Sequence, residues 1–249
     1  GGGGGGAPLP NYSITLLGTL PGGTHSRVMG INNAGEVVGS ADTVADNDPQ
    51  QRTFGTGFLY ADDGSGTWRM MNLQTILESE GLPGLTMAAV ATRVGVRAPS
   101  LYKRVGSRDE LIGLVADATV QGLGDLLQQL TEQQAGDPPA ALRELARGFR
   151  SFARQRPAGY SLIFALSPDA ARPSLETLVR ATDTLVAVTT PLVGQRHALD
   201  AARLITAWAN GFLSMELSGA FRMGGDVDRA FEYGLDRLIE ALRGPQSDH

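Results

Sequence analysis

The spacing of apolar and polar positions divides the chain near residue 80. Between residues 7 and 85 apolar residues come in short β-favouring runs, at 13–17, 28–31, 36–38, 57–60 and 67–71, separated by turn-forming clusters. Asn32-Asn33-Ala34-Gly35 and the stretch 62–66 stand where hairpin turns belong, and the polar stretch 43–52 reads as a mobile loop. From about Thr86 the apolar period becomes three or four. Ala201, Leu204, Ile205, Trp208, Phe212 and Met215 form one helical stripe, and Phe231, Leu235, Leu238, Ile239 and Leu242 form another. Breaks at 136–139, Pro157, 168–173, 191–194 and 224–225 leave helix-length segments between them. The last two helices, joined by a short Gly-Gly-Asp connection, predict an antiparallel pair whose remaining apolar surface a second copy can cover. Residues 68–73 fit either a last strand or a first helical turn.

Residues 85–112 read LTMAAVATRVGVRAPSLYKRVGSRDELI. Thr86 can cap a helix that turns Met87, Val90, Ala91 and Val94 inward; Gly95 supplies a left-handed residue to end it, and Val96 plugs the turn. A second helix opens at Arg97 or Ala98, with Pro99 in its first turn and Leu101 and Val105 as its anchors. Ser100, Tyr102, Lys103 and Arg104 then face away. Ser107-Arg108-Asp109-Glu110 is an S-x-x-E capping box that starts the next helix. A small residue at the crossing, a Gly at the turn and an exposed basic second helix are what a helix-turn-helix requires for lying in a DNA major groove.

Charge sharpens this picture. The net charge is −5, but the stretch 86–108 carries Arg93, Arg97, Lys103, Arg104 and Arg108 with no acid, a +5 island in an acidic protein. A solvated helix face is the bland reading of such a run; the ordered helix-turn-helix pattern favours DNA.

Other chemistry is scarce. The 249 residues hold no cysteine and three histidines, His25, His197 and His249, so disulfides, thiolate catalysis and Cys/His zinc sites have little to work with. Asp42, Asp46 and Asp48 lack the order of a calcium loop, and His197 beside a Pro/Gly break reads as a surface residue. No metal site, cofactor or enzymatic activity is expected. No apolar run reaches the length of a membrane span, no leader pattern precedes the β half, and the expected location is cytoplasmic.

Glu80-Gly81-Leu82, Leu85-Thr86, Gly95-Val96, Leu101-Tyr102-Lys103-Arg104 and the run 107–111 together resemble the TetR family of bacterial transcriptional regulators. The resemblance implies phosphate contacts by Thr86, Tyr102, Lys103 and Arg108, with Arg104 also available to a phosphate and Arg97 and Ser100 nearest base edges. Residues 149–153, 157–164 and 211–217 resemble the regulatory domain of one TetR subgroup; Asn210 stands where that subgroup often has His. Residues 17–24, 30–39, 58–60 and 71–73 resemble a single HAF-type repeat of bacterial, often exported, proteins, which points to a fusion.

The expected architecture is mainly all-α: a three-helix helix-turn-helix DNA-binding domain and an α-helical ligand-binding and dimerisation bundle, preceded by a small N-terminal antiparallel β segment. Its divisions fall at 1–6 (a glycine run), 7–73 (β), 74–120 (DNA-binding) and 121–244 (bundle). The function implied is a homodimeric repressor on a palindromic double-stranded DNA operator, released by a small apolar or amphipathic effector. Tyr160, Phe164, Trp208 and Phe212 are the candidate effector contacts, although aromatics at helical spacing serve a core first. The competing reading is an exported β-repeat binding module carrying a helical passenger. A small helical enzyme is disfavoured by the poverty of His and Cys.

Overall fold

The computed structural model describes residues 15–31, 35, 37–44, 53–62, 65–94, 105–134, 136–164 and 172–244. Strands β1 (Ser26–Ile31), β2 (Val37–Val44), β3 (Thr53–Asp62) and β4 (Trp68–Asn72) form one antiparallel sheet in chain order. Ile31 pairs with Val37, Val44 with Thr53 and Asp62 with Trp68, so two hairpins close at the turns expected from sequence. At the second of these turns Asp62 Oδ1 accepts the Gly66 amide at 2.9 Å. The expected strand at 13–17 is not one over its described part. Gly18, at φ 77°, bends the chain out of the extended region, and Leu17 and Leu20 lie over the sheet as a cover. Most of the expected 43–52 loop, residues 45–52, lies outside the described residues, and its first two positions extend β2.

Strand alternation explains where the sheet sits. Successive side chains point to opposite faces. Val37, Ala41, Phe58, Tyr60 and Met70 share one face with Leu17 and Leu20, while Val38, Leu59, Ala61 and Met71 share the other. Gly39 permits the first packing, because a Cβ there would lie 2.7 Å from the Phe58 ring. The second face is not free. It packs onto helices that follow in the chain, with Gly57 set against Ala118 and Val115.

The residues between Trp68 and Leu73 resolve as strand and then helix. Asn72 ends β4 and caps α1 (Leu73–Gly84), its side chain accepting from the Gln74 amide at 2.8 Å and from the Thr56 hydroxyl at 2.7 Å. Gly81 at φ 68°, ψ −178° interrupts α1, so its regular part is short and Pro83 sits in a separate last turn. There follow α2 (Met87–Val94), α3 (Arg108–Gln133), α4 (Pro138–Gln155), α5 (Pro157–Phe164), α6 (Leu175–Val193), α7 (Ala198–Leu217) and α8 (Val227–Arg243). Asp137, Ser174 and Asp226 cap α4, α6 and α8 through their side chains. Pro191, expected to break a helix, is accommodated in the last turn of α6, which ends at Gly194 with φ 76°.

The inner sheet face, α1, α2, Val105 and the first half of α3 form one apolar cluster. Two further clusters fill the bundle, one around Phe152 and Leu213, the other around Phe231, Leu235 and Ile239. The expected division at residue 120 falls within the 26-residue α3, which runs without interruption from the first cluster into the bundle. On α7, Ala201 and Ile205 are buried as the stripe predicted, but Leu204 and Met215 are about half exposed.

Candidate nucleic-acid interface and effector cavity

The helix-turn-helix region is framed by two capped helix starts. Thr86 Oγ1 accepts the Ala89 amide at 3.1 Å, which starts α2 and turns Met87, Val90 and Ala91 into the core. Ser107 Oγ accepts the Glu110 amide at 3.1 Å, and Glu110 Oε2 accepts the Gly106 amide at 2.7 Å. The reciprocal box read from sequence is therefore present, reaching one residue further back than the usual form. Val105 is buried just before it. The interval 95–104 falls between these two starts in sequence. It lies outside the described residues, and with it Arg97, Ser100, Tyr102, Lys103 and Arg104, as well as Leu101.

The two cations of the island that are described, Arg93 and Arg108, are both engaged. Arg93 pairs with Glu80 across α1 and α2. Arg108, expected at a phosphate, turns back: Nε donates to the Leu85 carbonyl at 2.9 Å and Nη2 to the Leu82 carbonyl at 2.5 Å. These carbonyls lie in and just after the last turn of α1, so Arg108 braces the start of α3 against the segment that leads into α2. A guanidinium has five N–H donors, and these two bonds leave part of its fork for another acceptor.

An apolar cavity of about 260 Å³ opens between α3, α4, α5, α6 and α7. Leu127, Leu145, Phe149, Ile163, Phe164 and Ile205 contribute to its wall, with Thr182 and Thr206 as polar points. Of the four aromatic candidates, only Phe164 belongs to this wall. Tyr160 is buried and donates its hydroxyl to Asn210 Oδ1 at 2.6 Å and to the Asn210 carbonyl at 3.1 Å. Burial raises the Tyr160 pKa. Trp208 and Phe212 pack on Phe231, with ring centroids 5.2 and 5.3 Å away, and Phe212 also borders an open groove with Phe221 and Tyr233. The aromatics were diverted by one another and by Arg150, whose guanidinium lies 4.6 Å from the Phe231 ring centroid.

Arg150 ties three helices together. It donates to both Glu216 carboxylate oxygens at 2.9 and 2.6 Å and to Asp228 at 2.7 Å. Burial acts to lower its pKa, and the bonds and charges of Glu216 and then Asp228 outweigh this, so the net direction is upward.

A residue that sequence reasoning passed over connects the two regions. Glu78, on α1, accepts the Gly159 amide through Oε1 at 2.9 Å and the Ala158 amide through Oε2 at 3.1 Å, both in the first turn of α5. Gln74 donates to Glu78 at 2.6 Å and accepts from Thr119 of α3 at 3.3 Å. Arg156 is buried beside this group. Desolvation takes its pKa down to about 10, against the pull of the Glu78 charge. The i, i+4 spacing of Gln74 and Glu78 was the only local signal, since the amides that Glu78 serves lie some eighty residues downstream.

The tetracyclin repressor-like C-terminal domain family matches residues 142–238. The helical part of the chain has a TetR-like fold. The HTH-type transcriptional regulator YobS of Bacillus subtilis is 23% identical over 170 residues, covering 67% of this chain and 86% of YobS. The HTH-type transcriptional regulator Rv0681 of Mycobacterium tuberculosis is 26% identical over 170 residues, covering 68% and 77%. The crystal structure of the regulatory protein SCO4313 superposes with a TM-score of 0.57 at 25% identity, over 68% of this chain and 93% of that one. Both relatives carry the name of HTH-type transcriptional regulators. No helix among the described residues is long and apolar enough to cross a membrane.

Proposed function

We propose that the protein is a ligand-responsive repressor that binds a palindromic operator as a homodimer in the cytoplasm. The observation that carries this reading is the pair of capped helix starts, Thr86 and Ser107, whose flanking residues Met87, Val90, Val105 and Leu111 share one core on either side of the basic sequence 95–104. The helix that the sequence predicts there would enter a major groove, with Arg97 and Ser100 at base edges and Thr86, Tyr102, Lys103 and Arg104 at phosphates. Arg108 acts first as a brace and offers the rest of its fork to the backbone.

The apolar cavity supports an effector that is small and apolar or amphipathic, with Phe164 in contact with it. The effector would favour a setting of α3 that holds the paired reading heads at the wrong spacing. For the dimer the support is the half-exposed Leu204 and Met215 on α7, together with exposed Phe221, Met223 and Tyr233 around the α7–α8 connection. A twofold pair would place two recognition helices about one DNA turn apart. The packing of the sheet into the reading-head core speaks against the helices being a passenger on an exported β module.

Binding-site selection from random duplexes tests the proposal. The full chain should enrich an inverted repeat whose half-sites lie about 10 base pairs apart, centre to centre. Changing Arg97 or Ser100 should alter the consensus. Recovery of no sequence preference, or of the same consensus from both variants, would remove the DNA-reading assignment.

A further inference from the structure

Helix α5 faces a different neighbour at each end. Ile163 and Phe164, near its C-terminus, form part of the apolar cavity. Its first turn lies against α1 of the reading head, and the contact there is polar and directional. The Ala158 and Gly159 amides belong to the group of N–H donors that a helix start leaves without intrahelical partners. Glu78 satisfies both from the other region, and its negative charge faces the positive end of the helix. Gly159 makes the approach possible: a Cβ at that position would lie 2.5 Å from Gln74 Nε2 and 3.2 Å from Thr119 Cγ2. Eight helical residues span about 12 Å. A rod that short cannot be displaced at its cavity end without loading the clamp at the other.

We propose that Glu78 is the positioning residue through which occupancy of the cavity reaches the reading head, by loosening or re-aiming its grip on the first turn of α5. The inference rests on the ligand-responsive reading above and adds the route. By this route α1 moves with α5, and α2, packed on α1, moves with it.

The test uses the full chain, an operator duplex obtained by selection, and 1-anilinonaphthalene-8-sulfonate as the cavity probe, its occupancy followed by fluorescence. Operator affinity is measured with and without saturating probe for the wild type, Glu78→Ala and Glu78→Gln. In the wild type the probe should change operator affinity by about fivefold or more, the lower end of ordinary allosteric coupling. Glu78→Ala should bind the probe as before, because Glu78 is not in the cavity wall, while the coupling falls to within about twofold of none. Glu78→Gln keeps one acceptor oxygen but loses the second and the charge, so it should recover only part of the coupling, a value between Glu78→Ala and the wild type that a merely structural role would not predict. Equal coupling in Glu78→Ala would overturn the route and leave the ligand-responsive reading standing. A wild type indifferent to the probe would overturn both. If Glu78→Ala melts below the assay temperature, hydrogen exchange in the wild type decides. The probe must alter protection of Ala158, Gly159 and α1 together, and a change confined to the bundle would sink the proposal.

Discussion

Replacing Leu59 with alanine asks whether the sheet and the reading head are one structural unit. Leu59 is 3% exposed on β3, on the face shared with Leu77, Val90, Leu111 and Val115. Deleting buried Leu atoms costs roughly 2–5 kcal/mol, and Met71 and Leu114, only partly buried here, can lean into the space, which favours about 2–3 kcal/mol. That is roughly a 30- to 150-fold rise in the opening of every amide protected by the same unit. Native-state hydrogen exchange reads this directly. The Ala61, Val90 and Leu111 amides should accelerate by a common factor, while those of Leu235 and Ile239 in α8 change far less. The two tryptophans give a second view, since Trp68 lies on β4 and Trp208 on α7. Fluorescence from Trp68 should be lost at lower denaturant than before, ahead of that from Trp208. Acceleration confined to β2 and β3, with α2 and the start of α3 unaffected, would show that the sheet is a separate body and refute the shared-core argument.

Arg108→Ala should lower operator affinity about equally for all sequences, reduce the salt slope by roughly 1, and also lower the melting temperature through loss of its bonds to Leu82 and Leu85. A sequence-selective loss would contradict this. Arg150→Ala leaves Glu216 without its partner in a largely buried setting and should cost about 3–5 kcal/mol in denaturant unfolding followed at Trp208. A change near zero would mean that water replaces the pair without penalty. Asp42 accepts the Thr24 and His25 amides and the Thr24 hydroxyl. Burial acts to raise its pKa, but these bonds outweigh it and the net direction is below the ordinary 3.8. The native state thus binds this proton less readily than the unfolded state. Its stabilising contribution is full above that value and is lost as pH falls below it. Asp42→Asn should be less stable than the wild type at neutral pH, and the gap, measured by denaturant titration, should shrink in acid. A gap that widened would reverse the assignment.

Features governed by neighbours in sequence were legible. Thr86 and Ser107 announce their helices because capping is settled within four residues, and the hairpin pairings Ile31 with Val37 and Asp62 with Trp68 flank the turn sequences for the same reason. Asn72 carried the information that β4 stops and α1 starts, although hydrophobicity alone left the point open. Features set by distant partners were not legible. The pattern of β3 shows that it has two apolar faces, but not that one of them meets Ala118 through Gly57. Tyr160, Trp208 and Phe212 had the right chemistry for a ligand wall, yet Asn210, Arg150 and Phe231 claimed them. Apart from Phe149 and Phe164, the cavity is bordered mainly by Leu, Ile and Ala residues from helices spread over nearly ninety positions, a set with no linear signature. Leu204 and Met215 followed the helical period, but the chain alone does not bury them.

The order in which the pieces appear during synthesis follows from the packing of β3 on α3. The sheet is complete in sequence at Asn72, but Leu111, Val115 and Ala118, which cover its second face, come about forty residues later. A nascent chain released in that window presents Val38, Leu59, Ala61 and Met71 to water, along with open strand edges that invite pairing with other chains. Fragments ending near Asn72 should therefore aggregate, and soluble expression should return only once the first half of α3 is included.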